Sequence, residues 1–233
     1  MLSVKRCVLA AAFAAAVGST ASATVYGDAT GDVFEGPPAF FDITSVEVTN
    51  DAFNLYLTIN LAQGLDPNDG GQNWGKYGVL FDTADGGSGT TGWTRNVSTP
   101  EVNDFWIGSW VDGGGGAQLW AFEGGAWNQT ASAGEPALGF DMSGVGSGVV
   151  RFTVSLAALG LQIGDTFLFD VLTTGNNDSH GGFDHLSRGD QATPGWNDPS
   201  TPGAYLSYTV VPAPGVASLA AVGLAGWAGR RRR

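Results

Sequence analysis

Acidic residues set close together in glycine-bearing turns are the first groups in this chain that could do chemistry. Asp28 and Asp32 frame the segment GDATGDVF, and Asp42 opens the apolar stretch that follows. Calcium is a hard cation that takes about six to eight oxygen ligands from carboxylates, amides and carbonyls. Loops of this kind supply them, so a structural Ca2+ held by Asp28, Asp32 and Asp42 is expected. Asp82 and Asp85, beside the turn DGGSG, form a second candidate set, and Asn176, Asn177 and Asp178 a third. The competing reading is that Asp and Asn shape turns without any ion. Asp66-Pro67-Asn68-Asp69-Gly70 begins as an EF-hand loop does, but Tyr77 stands where the bidentate glutamate is needed.

Tryptophan is the second chemical resource. Seven of the eight tryptophans lie between Trp74 and Trp196. An exposed indole can stack on the apolar C–H face of a sugar while nearby Asp and Asn hold its hydroxyls, so Trp74, Trp93, Trp106, Trp110 and Trp196 are candidate ligand-binding residues. Trp106 and Trp110 share one face of a predicted strand, where core packing is the competing reading because aromatics bury large areas. Trp120 is placed to pair across from them. Trp74, Trp93 and Trp196 fall in loops, and for these both readings stay open.

Catalytic constellations are sparse. His180 and His185 fall in a long polar stretch that reads as a solvent-exposed loop, where their spacing sets no common face and no third zinc ligand is evident. No Gly-x-Ser-x-Gly elbow occurs. The glutamates Glu35, Glu47, Glu101, Glu123 and Glu135 lie in no distinctive motif for glycoside cleavage. GVGSG at 144–148 is not a phosphate loop, because no helix and no basic residue follow it as a P-loop requires. The expectation is a protein that is not an enzyme.

The elements that must carry these residues are strands. Phe53, Leu55, Leu57, Ile59 and Leu61 alternate with Asn54, Tyr56, Thr58 and Asn60, a period of two that buries one face. Phe41 to Val48 precedes it across the turn Asn50-Asp51, which makes a hairpin. Further strands are predicted at 77–83, 104–111, 118–122, 148–156, 166–173 and 204–210, with glycine-rich turns between them and one helical turn at 156–161. Many antiparallel strands and almost no helix point to an all-β, jelly-roll-like antiparallel β-sandwich.

Both ends differ from this body. Residues 1–23 read as a secretory signal peptide: Lys5 and Arg6, an apolar run from Val8 to Val17, and the small-residue site Ala21-Ser22-Ala23. That order implies the Sec export machinery as a partner. The one cysteine, Cys7, would leave with it, so the exported form has no thiol chemistry. The other end, residues 211–233, reads VPAPGVASLAAVGLAGWAGRRRR. Val211-Pro212-Ala213-Pro214 is stiff and disfavours continuation of a sheet. The apolar segment 216–229 spans roughly 21 Å as a helix, short against a bilayer core of about 30 Å. Arg230, Arg231, Arg232 and Arg233 form a cytoplasmic stop. Between these ends, residues 24–210 hold all 22 acidic residues but only Lys76, Arg95, Arg151 and Arg188, a net charge of −18. A body this acidic repels phosphate backbones and excludes nucleic acid as a partner.

The order of proline motif, short apolar segment and arginine cluster resembles the PEP-CTERM sorting signal of bacterial exported proteins, with Ala213 where that family has glutamate. The resemblance implies recognition by an exosortase-type membrane protease, transient membrane anchoring and delivery to the cell surface or extracellular matrix. Between GDATGDVF at residue 27 and FTVSLAALGLQIGDTFLFDVL ending at 172, the body is similar to DOMON-like and family 9 carbohydrate-binding β-sandwiches. That similarity implies ligand binding, often of polysaccharide, and structural calcium. The expected function is therefore a non-catalytic, surface-delivered β-sandwich with a ligand-binding or structural role. The alternatives are a carbohydrate-binding module and an extracellular glycoside hydrolase.

Overall fold

The period-two alternation around Asn50-Asp51 produces the hairpin on which one half of the molecule is built. The structure, a computed structural model, describes residues 23–66 and 74–212. Strand β1 is Thr24–Gly27, β2 is Ile43–Asn50 and β3 is Asn54–Leu61. The Asp51 carboxylate sets the β2–β3 turn, because its Oδ1 accepts the N–H groups of Phe53 and Asn54, each at 2.7 Å. Val46, Val48, Leu55, Leu57 and Ile59 are buried as the alternation requires.

The remaining strands are β4 (Lys76–Asp82), β5 (Phe105–Trp110), β6 (Gly116–Glu123), β7 (Ala126–Ser132), β8 (Leu138–Asp141), β9 (Val149–Ser155), β10 (Thr166–Thr174), β11 (Gly182–His185) and β12 (Leu206–Thr209). They form two antiparallel sheets. The first has the order β1-β2-β3-β9-β8, and the second runs β11-β10-β4-β5-β6-β7. On its free edge β10 pairs with β12 along Thr166–Phe169 and with β11 along Leu172–Thr174. Leu57, Ile59 and Phe152 of the first sheet share one buried core with Val79, Phe81, Ile107 and Phe169 of the second. The described residues thus form an all-β sandwich whose only helical pieces are single 3-10 turns, one of them at Ala157–Leu159 where a helical turn is expected.

The outer face of the second sheet is not bare. Leu80, Trp106 and Leu172 point away from the main core and are buried beneath Val97 and Tyr205. Those two residues come from the long connections 83–104 and 186–205. The connections also hold each other: Ser98 N–H donates to Ser200 O at 2.9 Å, and Ser200 N–H donates to Asn96 O at 3.0 Å.

Strands β1, β7, β8 and β11 lie outside the strands predicted from periodicity. Three are four residues long, and β7 buries only Ala131 and is broken by a register shift against β6, so none displays an alternation. The expected signal peptide at 1–23 lies, but for Ala23, outside the described residues, as do the apolar segment 216–229 and the arginines of the expected tail at 211–233. Among the described residues, no helix is long and apolar enough to cross a membrane.

Candidate functional site

Three arrangements of side chains stand out, one acidic, one aromatic and one built on His185. The acidic one sits at a corner where both sheets meet. Asp28 follows β1, Asp32 lies four residues on, and Asp184 comes from β11. One carboxylate oxygen from each lies within 4.8 Å of the others. Oxygens around one calcium, each about 2.3–2.6 Å from it, lie no further apart than about 5 Å. The donor set is all-carboxylate and suits a hard divalent cation. Asp184 Oδ2 accepts Ile43 N–H at 2.6 Å, so this carboxylate also ties β11 to the start of β2.

The electrostatics of the cluster are unfavourable as it stands. Burial pushes the Asp28 carboxyl up to about 7, and repulsion from Asp32, Asp170 and Asp42 adds to the rise while Ala29 N–H opposes it. Asp184 is pushed up to about 9, chiefly by burial and further by Asp28 and Asp32. Asp32 and Asp42 are raised by burial as well. Asp28 Oδ2, both oxygens of Asp32 and Asp42 Oδ1 are buried without a hydrogen-bond donor. Asp42 is only 5% exposed, and its other oxygen accepts Gly31 N–H at 2.8 Å. Carboxylates buried without donors are costly, and proteins meet that cost with a proton or a cation.

Of the expected ligands, Asp28 and Asp32 thus come together, with Asp184 in the third place; Asp42 is near enough to repel Asp28 and Asp32 but is not one of the three carboxylates at ligand distance. Asp184 sits in a four-residue strand within a polar stretch, where only its position between two histidines marks it. Asp82 and Asp85 lie elsewhere. Asp82 is raised by burial and by its neighbours Asp104, Glu101 and Asp85. Asp104 Oδ2 is occupied by Thr83 N–H and Ala84 N–H at 2.7 and 2.8 Å. Among the described residues only the Asp28–Asp32–Asp184 group closes to metal-ligand distances.

The aromatic arrangement is an open pocket of about 370 Å³ on the outer face of the second sheet, lined by Trp93, Trp110 and Trp120 with Lys76, Arg95 and Asp178. Strand register places Trp106 opposite Trp120 and Trp110 opposite Gly116. Missing side chains make room for the indoles. A Cβ on Gly78 would lie 2.1 Å from Trp106 Cη2, and one on Gly108 would lie 2.6 Å from Trp93 Cε2. Gln118 Oε1 accepts from Trp93 Nε1 at 2.9 Å and from Trp120 Nε1 at 3.2 Å, which fixes two rings with one amide. The pocket is within the range of about 300–1,000 Å³ typical of small-ligand sites.

Of the five tryptophans expected to bind ligand, Trp93 and Trp110 line this pocket. Trp106 does not reach it: the ring is fully buried beneath the covering connections, so its role is to support Trp93 at a centroid distance of 6.0 Å. Trp74 and Trp196 pack 5.5 Å apart in a separate half-buried cluster with Phe41, Phe183 and His180. The exposed loop expected for the histidines is also corrected. His180 is wedged among these rings, and His185 is a fully buried residue of β11.

His185 belongs to a third constellation. Its Nδ1 meets Asp170 Oδ2 at 2.6 Å and its Nε2 meets Ser200 Oγ at 2.9 Å. The distances are those of a hydrolase triad. All three residues are 0% exposed, and Ser200 Oγ also accepts Gly182 N–H at 2.6 Å. A nucleophile sealed from substrate has nothing to attack, so the network serves to pin the 186–205 connection onto β10 and β11. Ser200→Ala would leave Gly182 N–H and His185 Nε2 unpaired, at about 1–3 kcal/mol for each buried group. Thermal denaturation should show a melting point lower by several degrees, and an unchanged value would sink this account.

No family model matches the chain, and no curated protein matches it.

Proposed function

We propose that the protein is an exported, non-catalytic polysaccharide-binding β-sandwich of jelly-roll type, delivered to the cell surface or extracellular matrix by its C-terminal sorting segment and braced by one structural calcium. The observation that carries the binding reading is the pocket in which Trp93, Trp110 and Trp120 converge on the outer face of the second sheet. Half-buried indoles with polar groups at their rim are what a pyranose needs: a flat apolar surface below and hydrogen-bonding groups at its edge.

The calcium reading is supported by the unpartnered oxygens of Asp28 and Asp32 at ligand distance from Asp184. Asp28, Asp32 and Asp184 would hold the ion, which would supply the positive charge that these crowded carboxylates and the neighbouring Asp42 lack. The lead-in from β1 to β2 would then be tied to β11.

Delivery rests on the two terminal segments described from the sequence. Where the body ends, the Asn50 side chain holds the backbone of Val211 from both sides, donating to its carbonyl at 2.8 Å and accepting its N–H at 3.1 Å. The proline motif therefore begins directly at the edge of the sandwich, where a membrane protease would meet it.

One preparation tests both parts. The mass of the native cell-envelope form reads both termini, and residues 1–23 should be absent. In electrophoresis through gels containing polysaccharide the same protein should be retarded, and Trp110→Ala should run free. Equal mobility of the two in every polysaccharide gel would defeat the binding reading, and an intact full-length chain in the cytoplasm would defeat the delivery reading.

A further inference from the structure

The cations of this protein are few and are placed unevenly. Of the four in the body, Lys76 and Arg95 line the tryptophan pocket, and each is only 7% exposed. In a body with 22 carboxylates, solvation alone would leave basic groups on the surface, as it does for the ion pair of Arg151 with Asp141. Burying two cations side by side needs a reason.

Their partners do not supply it in full. Lys76 Nζ is in contact with Asp112 Oδ1. Arg95 has no such neighbour: its Nε and Nη1 are buried with no hydrogen-bond acceptor. The nearest carboxylate oxygen, Asp178 Oδ1, stands 3.6 Å from Nη1 on a side chain that is 84% exposed, which is an ion pair by distance and not a hydrogen bond. The Arg95 guanidinium lies 5.3 Å from the centroid of the Trp93 ring, so the ring holds it in place but accepts none of its protons in the plane of the fork. Lys76 and Arg95 also repel one another, and burial works against the charge of both. A buried guanidinium with unmet donors is among the costlier features a fold can carry. It is relieved when a planar anion meets it in two parallel hydrogen bonds.

We propose that the pocket takes an acidic sugar, a uronic-acid residue of a polysaccharide, with its ring carboxylate held by Arg95 and Lys76 and its pyranose face laid against Trp93, Trp110 and Trp120. The proposal rests on the polysaccharide-binding reading above and narrows it to one class of residue. It also gives the pocket its selectivity. The body as a whole repels polyanions, so an acidic chain is admitted only where these two cations offset that field.

The test compares one polymer in two chemical forms. Polygalacturonate and alginate are titrated into the full-length protein alongside the same polymers after carboxyl reduction to neutral sugars. The native acids should bind at least tenfold more tightly, with the difference shrinking as salt is raised. Arg95→Gln and, separately, Lys76→Gln should lose most of that difference. Thermal melting of each variant identifies one that has not folded, and the comparison of polymers on the unaltered protein needs no variant at all. If both forms bind equally and Trp110→Ala abolishes both, the acidic-sugar proposal is overturned while polysaccharide binding stands. If neither form binds, both readings fall together.

Discussion

Chelator should lower the melting temperature of the calcium-loaded protein by about 10 °C at pH 8, and by far less at pH 5. An ion present at a thousandfold excess over its Kd stabilises the folded state by about 4 kcal/mol, and a protein of this size shifts by about 2–4 °C per kcal/mol. The pH dependence follows from the direction in which the carboxyls move. Asp28 and Asp184 rise to about 7 and about 9 from an ordinary value near 3.8. Without an ion, the folded state therefore keeps protons that the unfolded chain gives up. The stability these protons confer is complete below pH 4 and is lost as pH climbs through 7 and then 9. A cation takes the place of those protons, so its effect grows over the same interval. Asp28→Asn separates charge from geometry. It removes repulsion from the ion-free protein, which should melt higher than the wild type at pH 8 in chelator, and it removes a ligand, so added calcium should stabilise it much less. A melting temperature indifferent to chelator at pH 8 would discard the calcium centre.

The same residues show what was legible in the chain before its fold was known. Asp42, expected with Asp28 and Asp32, stays outside the group. Asp28 and Asp32 lie four residues apart in one glycine-bearing turn, and their pairing could be read from spacing alone. Asp184 could not, because it reaches the site through β11, a strand too short to show a period of two, paired to β10 across a loop. The sandwich itself was legible where a strand has one wet face, as in β3, whose burial alternates along its whole length. Where a strand is covered on both faces, as in β4, whose residues from Lys76 to Phe81 are all buried, the strand itself was legible at 77–83 but its double cover was not. Covering by the connections 83–104 and 186–205 also explains why a strand tryptophan on the outward face, Trp106, is part of a core. Sequence patterns report which way a side chain points, whereas the cover comes from chain far away.

That cover makes Trp106 the residue on which the aromatic pocket depends. Trp106→Ala should destabilise the protein by about 4 kcal/mol, the middle of the range of about 3–5 for a fully buried aromatic, which is a fall in melting temperature of about 12 °C at about 3 °C per kcal/mol. Two structural details bound the effect. The ring sits on Gly78 and beside Gly108, positions with no side chain to fill a cavity, so collapse cannot recover the loss. Against that, Trp106 Nε1 is buried without an acceptor, and removing it returns part of an existing penalty. Trp106→Phe keeps most of the ring and removes the unpaired N–H, and its melting temperature should stay within a few degrees of the wild type. For binding the ranking reverses the usual expectation for a buried residue. Trp93 rests against Trp106, so Trp106→Ala should abolish retention on polysaccharide even at temperatures where the variant is fully folded. Trp110→Ala should weaken binding at least thirtyfold, as loss of about 2 kcal/mol at a contact hot spot implies, while its melting temperature moves little. Gly78→Ala tests the packing from the other side, since its methyl would stand 2.1 Å from Trp106 Cη2 and displace the ring toward the covering connections. If Trp106→Ala melts and binds as the wild type does, the indole is not the support of the pocket, and the link between this core and ligand recognition is broken.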